Sequence, residues 1–249
     1  MIQSGFEAVV DDTANKCKDY FRDRLYSMYL TGSISVCEAV AGESDLDYWV
    51  FISDELSDDD KAWIKNTEAE IDSNYEVING VHINVKQVEE LYRDKFTRFA
   101  LKYNSFLFYG GDIISDIESS GVESYEPNKI IAKVRLPFAK KCLEDAMENI
   151  CPQCMDEIPE NTYFAARKYA RYFLVIEGAY YLMAINKFIT YKQETVIQLL
   201  RENSVGFTDI LNCSYEVLKN PLKAAVKHDD YIAIIYPFVE WMHDEINAV

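Results

Sequence analysis

The sequence predicts an α+β protein in which a small mixed sheet with flanking helices is followed by a helical bundle. Helix-like and strand-like segments alternate through residue 86, whereas helical periodicity dominates afterwards. The chain has 249 residues, of which 49% are hydrophobic, so it can bury a sizeable core. We therefore expect two domains, residues 1–115 and 116–249, with a boundary in the stretch 110–128, where glycines and a proline interrupt an acidic segment.

The elements of the first domain follow from local signals in the chain. Apolar residues at helical intervals lead into a strand-like run that ends at Thr31-Gly32-Ser33. Ser57 and the aspartates after it are a typical helix N-terminus, since their side chains accept hydrogen bonds from the first N–H groups. In chain order we expect helix 6–24, strand 25–30, helix 35–40, strand 46–52, helix 57–71 and strand 75–85, which is interrupted at Asn79-Gly80.

The remainder of the chain has the periodicity of helices. In the longest segment, aromatic and apolar residues recur at steps of three and four from Ala165 to Met183, which indicates one packed face rather than a cofactor site. The predicted helices cover residues 88–103, 129–150, 163–188, 194–202, 207–218 and 231–246.

The charge of the chain restricts its partners. There are 42 acidic and 25 Lys+Arg residues, which gives a net charge of −17. A nucleic-acid substrate is disfavoured because its backbone is also anionic, whereas a cationic small molecule, or an anion held through a metal, fits better. The N-terminus lacks the features of a secretory signal, and the most apolar stretch is too short to cross a membrane. We expect a soluble cytoplasmic protein with no membrane partner; its oligomeric state is left open.

Six cysteines are expected to be reduced thiols in that compartment. Cys151 and Cys154 form the pattern Cys-Pro-Gln-Cys, which is compatible with half of a zinc site or a redox motif. A second pair of ligands at zinc spacing is missing from the sequence, so a solvent-side loop is the favoured interpretation.

The segment from Leu30 to Asp47 contains the residues that suggest a catalytic activity. A strand ends in Gly32-Ser33, where a glycine lets the backbone approach a phosphate and the following N–H groups favour an anion. Asp45 and Asp47 alternate at the next strand, so their side chains share a face with Cα atoms about 6.6 Å apart. Such a pair can bind two divalent cations, which suit in-line displacement at phosphorus with pyrophosphate leaving. The pattern therefore predicts nucleotidyl transfer.

With these residues, the sequence resembles the nucleotidyltransferase superfamily of the DNA polymerase beta type, and its aminoglycoside adenylyltransferase branch is the most similar. The resemblance rests on Gly32, Ser33, Asp45 and Asp47, and it extends more weakly to the segments 106–112 and 184–192. It implies an amino-terminal nucleotidyltransferase domain and a helical domain that closes the substrate cleft. It also implies an enzyme that uses Mg²⁺ and ATP, with Asp45 and Asp47 as metal ligands.

Two further residues are assigned to the nucleotide through the resemblance. Ser44 directly precedes Asp45 and is expected to bind the nucleotide together with Gly32 and Ser33. Lys192 matches a lysine that reaches the nucleotide phosphates, although a solvated lysine at the start of a helix explains it equally well.

The sequence departs from the family at the third carboxylate, which lies on a later strand facing Asp-x-Asp. Val81, Ile83 and Val85 form the apolar face of that strand, so His82 and Asn84 are on the side of the site, and neither is an acid. Glu76 is an even number of residues before His82, so in a continuous strand it would lie on the same face. It precedes Gly80, however, where the strand register can break. A neutral His82 can act as base or ligand. We therefore place His82 among the catalytic residues, while an inactive site stays open as the alternative.

We accordingly expect transfer of AMP from ATP onto a hydroxyl of a small acceptor, and an aminoglycoside-like amine would suit the acidic chain. Two alternatives remain at this stage: a nucleotide-binding homologue without turnover, and a toxin-type enzyme that modifies a protein.

Overall fold

A computed structural model describes residues 2–155 and 158–249. The chain divides into two compact units, one ending at Tyr125 and the other beginning at Glu126. The first unit contains a sheet with helices, and the second is helical throughout its described secondary structure. The predicted α+β class, a small mixed sheet followed by a helical bundle, is confirmed.

The sheet contains the strands β1 (Leu25–Thr31), β2 (Leu46–Ile52), β3 (Val81–Gln87) and β4 (Ser105–Gly110). Their order in the sheet is β3-β2-β1-β4. The central strand β1 is antiparallel to both of its neighbours, β2 and β4. In contrast, β2 and β3 are parallel, because a helix crosses over between them.

The two faces of the sheet differ, because side chains alternate along each strand. On β2, Leu46, Tyr48 and Val50 are fully buried in a core shared with the first helix. The opposite face carries Asp47, and further along the strand Phe51 packs in a second, smaller core. The alternation thus places Asp47 on the face opposite the larger core.

The helices of the first unit are α1 (Glu7–Phe21), α2 (Gly32–Ser35), α3 (Asp58–Asn74), α4 (Val88–Arg93), α5 (Lys95–Asn104) and α6 (Ile113–Ser119), with a 3-10 turn at Arg22–Arg24.

The second unit is a bundle whose long central segment is interrupted. The predicted helix over 163–188 consists of two α-helices joined by a π-helical stretch, and its aromatic stripe is buried, as expected of a core. Among the described helices none is long and apolar enough to cross a membrane. The elements are α7 (Lys129–Met147), α8 (Thr162–Ala170), the π segment (Arg171–Ile176), α9 (Glu177–Ala184), α10 (Gln193–Asn203), α11 (Thr208–Lys219), α12 (Pro221–Ala224) and α13 (His228–Ala248).

Several predicted boundaries were wrong. The short helix expected over 35–40 lies instead at Gly32–Ser35, and Cys37 adopts a φ of 61°, outside the helical range. The strand expected from Tyr75 begins at Val81, because the preceding residues form turns. The helix expected over 88–103 breaks at Asp94, whose side chain accepts a hydrogen bond from the Thr97 N–H and so begins α5.

Asp60 connects α3 to the 3-10 turn that precedes β1. Its carboxylate accepts two hydrogen bonds from the Arg24 guanidinium, at 2.9 and 2.8 Å, and it completes the capping box with Ser57. Asp60 is 1% exposed, so breaking this pair leaves an arginine without its main buried partner. The Arg24 hydrogen bonds hold the pKa of Asp60 well below its usual range.

We expect Asp60→Ala to lower the free energy of unfolding by about 3 kcal/mol at pH 7. Because the folded pKa of Asp60 is lowered, this stability is fully present above the unfolded value near 4 and is lost as the pH falls towards the folded value. Urea titrations at several pH values measure both quantities. Asp58→Ala, in the same turn but at an exposed residue, is the control and should change little. If the difference in the free energy of unfolding between wild type and D60A stays constant down to pH 2, ionisation of Asp60 does not contribute to stability in the way expected.

Candidate active site

The strand register brings together residues that are far apart in sequence. Asp47 lies on β2 opposite Thr31 of β1 on one side and opposite His82 of β3 on the other. Since β2 and β3 are parallel and in register, Asp47 and His82 lie side by side on the same face. The residues that flank His82, Val81 and Ile83, are buried in the larger core on the opposite face. His82 therefore occupies the position beside Asp47.

Gly32 packs directly against the Asp47 carboxylate. Its φ is +69°, a conformation that side-chain-bearing residues rarely adopt. A Cβ at this position would overlap Asp47 Oδ2 and lie 3.4 Å from Cγ. The Thr31 hydroxyl, one residue earlier, lies 3.5 Å from the Asp47 carbonyl oxygen. Only a glycine thus allows the end of β1 to approach the carboxylate so closely.

Ser33 belongs to the single helical turn of α2, where its carbonyl accepts a hydrogen bond from the Glu38 N–H at 2.9 Å. The Ser35 hydroxyl donates to the Gly32 carbonyl at 2.8 Å, which holds the turn closed. The helix whose first N–H groups were expected to favour an anion is only four residues long. Any attraction for an anion must therefore come from local N–H groups and the glycine turn rather than from a macrodipole.

Asp45 is the last residue before β2, and its carboxylate lies beside a second glycine. Its Oδ1 is 3.6 Å from the position that a Cβ would take on Gly80, whose φ is +150°. The Gly80 carbonyl accepts a hydrogen bond from the Leu46 N–H at 2.9 Å, which joins the start of β2 to the turn before β3. Each aspartate of the Asp-x-Asp pair is thus next to a glycine that leaves room for its carboxylate.

Ser44 is buried, with 7% of its surface exposed, and its hydroxyl accepts a hydrogen bond from the Val40 N–H at 2.9 Å. Its carbonyl accepts another from the Asn79 N–H at 3.1 Å. These bonds give Ser44 a structural part in the loop that presents Asp45. Its assignment to the nucleotide stays a prediction.

The other candidates for the third position lie further from Asp47. Asn84 pairs with Trp49 in the register, one step along the sheet from His82, and is exposed. Glu76 is outside β3, in the exposed turn that precedes Gly80. The register thus favours His82 over both as the neighbour of Asp47.

Trp49 and Lys86 share the face of Asp47 and His82, and sequence reasoning missed them. The Lys86 ammonium lies 5.1 Å from the centroid of the Trp49 ring and forms a 2.8 Å ion pair with Asp94. Although burial opposes ionisation of Asp94, hydrogen bonds from Lys86 and Thr97 lower its pKa to about 2. Continuing the alternation from Asp45 and Asp47 to Trp49 would have identified this half-buried ring.

Lys192 lies in the second unit, at the residue before α10. It is exposed, and its backbone N–H donates to the Thr190 hydroxyl at 3.3 Å. Its contact with the nucleotide phosphates stays a prediction.

Comparison of the sequence with models of protein families and with curated proteins finds no match. Comparison of the structure does find one. The chain is similar to spectinomycin adenyltransferase from Enterococcus faecialis, whose crystal structure contains ATP and spectinomycin. The TM-score is 0.54 at 12% sequence identity, over 95% of this chain and 99% of that chain. The resemblance predicted from the Gly-Ser and Asp-x-Asp motifs is therefore confirmed at the level of the fold.

Proposed function

We propose that the protein is a nucleotidyltransferase that moves AMP from ATP onto a hydroxyl of a small acceptor. One observation carries the proposal: the Gly32 turn lies against the Asp47 carboxylate, and His82 is beside that carboxylate in the sheet. The fold shared with an adenyltransferase agrees with this chemistry, although a fold alone does not define a reaction.

The residues present suit Mg²⁺. This cation takes oxygen ligands and is commonly bound by one or two carboxylates together with waters and substrate phosphates. Asp45 and Asp47 supply two carboxylates, each with a glycine beside it that leaves room at the carboxylate. When bound, Mg²⁺ would neutralise charge on the phosphates of the nucleotide. Within residues 2–155 and 158–249, no group of three acidic, histidine or cysteine side chains is placed to hold a metal, so waters and substrate phosphates would complete the coordination.

Each of the protein's own groups would have a distinct role in the transfer reaction. The turn at Gly32 and Ser33 would hold the phosphates through short-range hydrogen bonds. His82 would accept the proton of the attacking hydroxyl, because it lies beside Asp47 in the sheet and an imidazole can serve as a general base. Lys192 would pair with phosphate oxygens as the substrates assemble.

The acceptor is proposed to be a hydroxylated amine. The net charge of −17 attracts cations to the protein surface and repels polyanions. Mass spectrometry of reactions containing ATP, Mg²⁺ and a panel of hydroxylated amines tests the proposal. We expect one acceptor to gain the mass of one AMP with equimolar pyrophosphate. Label from ATP that enters protein in a lysate, with none in small molecules, would replace this acceptor class by a protein substrate.

Substitutions at the glycine turn test the phosphate site. Gly32→Ala should weaken ATP binding more than Ser33→Ala, because any Cβ on Gly32 displaces the Asp47 carboxylate. Ser33→Ala should cost about 1 kcal/mol, the usual value of one hydrogen bond, and Gly32→Val should be at least as harmful as Gly32→Ala. Calorimetric titration with ATP and Mg²⁺ measures each effect.

Gly121→Ala is the matched control for the glycine substitution. Gly121 also has a positive φ, of +87°, but a Cβ there would meet nothing within 4 Å. Its strain therefore resembles that of G32A without any contact to the site. Equal ATP affinities for G32A, G121A and wild type would show that the phosphates bind elsewhere.

A second candidate function is nucleotide binding without turnover. It is favoured by one specific observation, that a histidine rather than an acid lies beside Asp47. In that case ATP should bind while pyrophosphate release stays at the background rate with every acceptor. Pyrophosphate release that depends on an acceptor would exclude it.

A further inference from the structure

The loop between α2 and β2 joins the two halves of the candidate site. It covers residues 36–45 and contains no helix or strand. One end of the loop follows the turn at Gly32 and Ser33, and the other end presents Asp45. An irregular segment keeps its shape only where contacts from elsewhere hold it, because its own backbone groups do not pair in a regular pattern. The position of Asp45 relative to the turn therefore depends on what holds this loop.

Gln3, in the segment before α1, binds the middle of the loop with both ends of its side-chain amide. Its Oε1 accepts a hydrogen bond from the Ala39 N–H at 2.8 Å, and its Nε2 donates one to the Ala39 carbonyl, also at 2.8 Å. This double bond pattern is like one step of an antiparallel ladder, in which two residues exchange both of their hydrogen bonds. A single side chain thus satisfies both backbone groups of Ala39.

The residues on either side of Ala39 connect it to the two halves of the site. The Glu38 N–H donates to the Ser33 carbonyl at 2.9 Å, which ties the loop to the turn. The Val40 N–H donates to the Ser44 hydroxyl at 2.9 Å, and Ser44 directly precedes the first aspartate of the Asp-x-Asp pair. Three consecutive residues of the loop therefore link the turn, the Gln3 amide and the residue before that aspartate.

Gln3 is itself held in place by packing. Phe6 is 2% exposed in the larger core of the first unit, and Ile2 packs against the same core. The Gln3 carbonyl accepts a hydrogen bond from the Phe6 N–H at 3.2 Å. The amide therefore reaches the loop from a backbone that the core already fixes, so it can restrict the loop rather than move with it.

We propose that Gln3 is a positioning residue for the nucleotide site. It holds the loop 36–45 so that Asp45 and the turn at Gly32 and Ser33 keep the spacing that ATP and Mg²⁺ require. In this role Gln3 does not touch the nucleotide, and it acts only through the loop. The inference rests on the proposed nucleotidyl transfer. Without the Gln3 amide the loop would leave its bound arrangement more often, and the affinity for ATP would fall with the fraction that remains competent.

Hydrogen exchange and calorimetry of the full chain test the proposal. In Gln3→Ala, the backbone amides of residues 36–45 should exchange about tenfold faster than in the wild type, whereas those of β1 and β2 should keep their wild-type rates. The affinity for ATP with Mg²⁺ should fall by roughly fivefold. Gln198→Ala makes the same chemical change at an exposed residue of α10 and is the control, which should alter neither quantity.

Gln3→Glu separates positioning from a general loss of packing. An ionised carboxylate can accept from the Ala39 N–H, but it has no donor for the Ala39 carbonyl. A carboxyl group takes up its proton at about pH 4, and it then has one acceptor and one donor, as the amide has. With the wild type as reference at each pH, exchange of residues 36–45 in Q3E should be fast at pH 7 and should return towards the wild-type rate at pH 4. In Q3A it should stay fast at both.

Three results would overturn the inference. The first is wild-type exchange of residues 36–45 in Q3A. The second is faster exchange that extends equally to β1 and β2, since Gln3 would then support the fold as a whole. The third is a released loop in Q3A with wild-type affinity for ATP. Failure of the proposed function has a different signature: the wild-type protein would bind no ATP, while the exchange rates would still show whether Gln3 holds the loop.

Discussion

Asp47→Asn is expected to abolish nucleotidyl transfer while the fold stays intact. The two side chains are nearly isosteric, so the close contact with Gly32 can be kept, but the amide lacks the negative charge that holds a divalent cation. Metal-assisted stabilisation of the transition state amounts to several kcal/mol, so we expect a loss of roughly a thousandfold or more. Pyrophosphate release in the presence of an acceptor measures the rate, and thermal unfolding measures the fold.

The control for this substitution is Asp72→Asn, an equal change of charge at an exposed residue of α3. Both variants should unfold near the wild-type temperature. Only D47N should lose activity, and extra Mg²⁺ should recover part of it if the defect is in metal affinity. A D47N protein with wild-type pyrophosphate release would remove Asp47 from the metal site.

The second large effect is expected at His82. If His82 accepts the proton of the acceptor hydroxyl, His82→Ala should slow transfer by about 10²-fold or more, the usual contribution of a general base. The wild-type rate should fall as the pH is lowered, because a protonated imidazole cannot accept a proton. His82→Glu should stay active and should shift this fall to lower pH, since a carboxyl group loses its proton at lower pH than an imidazole.

The same pair of variants distinguishes an active from an inactive site. In a protein without turnover, His82→Ala would change nothing, whereas His82→Glu would restore the family's third acid beside Asp47 and confer activity. Asn84→Ala is the matched control, because Asn84 lies on the same face of β3 but opposite Trp49. A loss of rate in N84A but not in H82A would transfer the role to Asn84. If neither histidine variant alters turnover, metal affinity or ATP binding, His82 lies outside the site.

Local patterns predicted the parts of the candidate site that depend on neighbours in sequence. Gly32 requires a conformation that favours glycine, and Asp45 and Asp47 share a face because side chains in a strand have a period of two. The capping box at Ser57 is equally local, and it was found where the sequence indicated a helix start. Such features were accessible because the forces that produce them act over only a few residues.

Other elements were missed or misplaced because distant packing decides them. β4 was not predicted as a strand, although it pairs with β1 through five residues from Thr31 back to Ser27. Its partly exposed aromatic residues carry little alternation, so pairing with β1 rather than its own pattern makes it a strand. The π segment within the expected long helix could not be predicted either. The hydrogen bonds of a π-helix span only one residue more than those of an α-helix, so the spacing of apolar residues in the sequence does not distinguish the two.

By itself, the sequence determined the fold class and the Gly-Ser and Asp-x-Asp pairs, because composition, turn chemistry and strand alternation specify them locally. It left three candidates for the position beside Asp47, namely His82, Asn84 and Glu76. Only the tertiary structure shows which of the three lies beside Asp47. The crossover through α3 sets the parallel register in which Leu46 pairs with Val81, and this register places His82 next to Asp47. A register is a property of two strands packed on a common core, since a slip of one residue would turn the apolar set of β3 towards the opposite face.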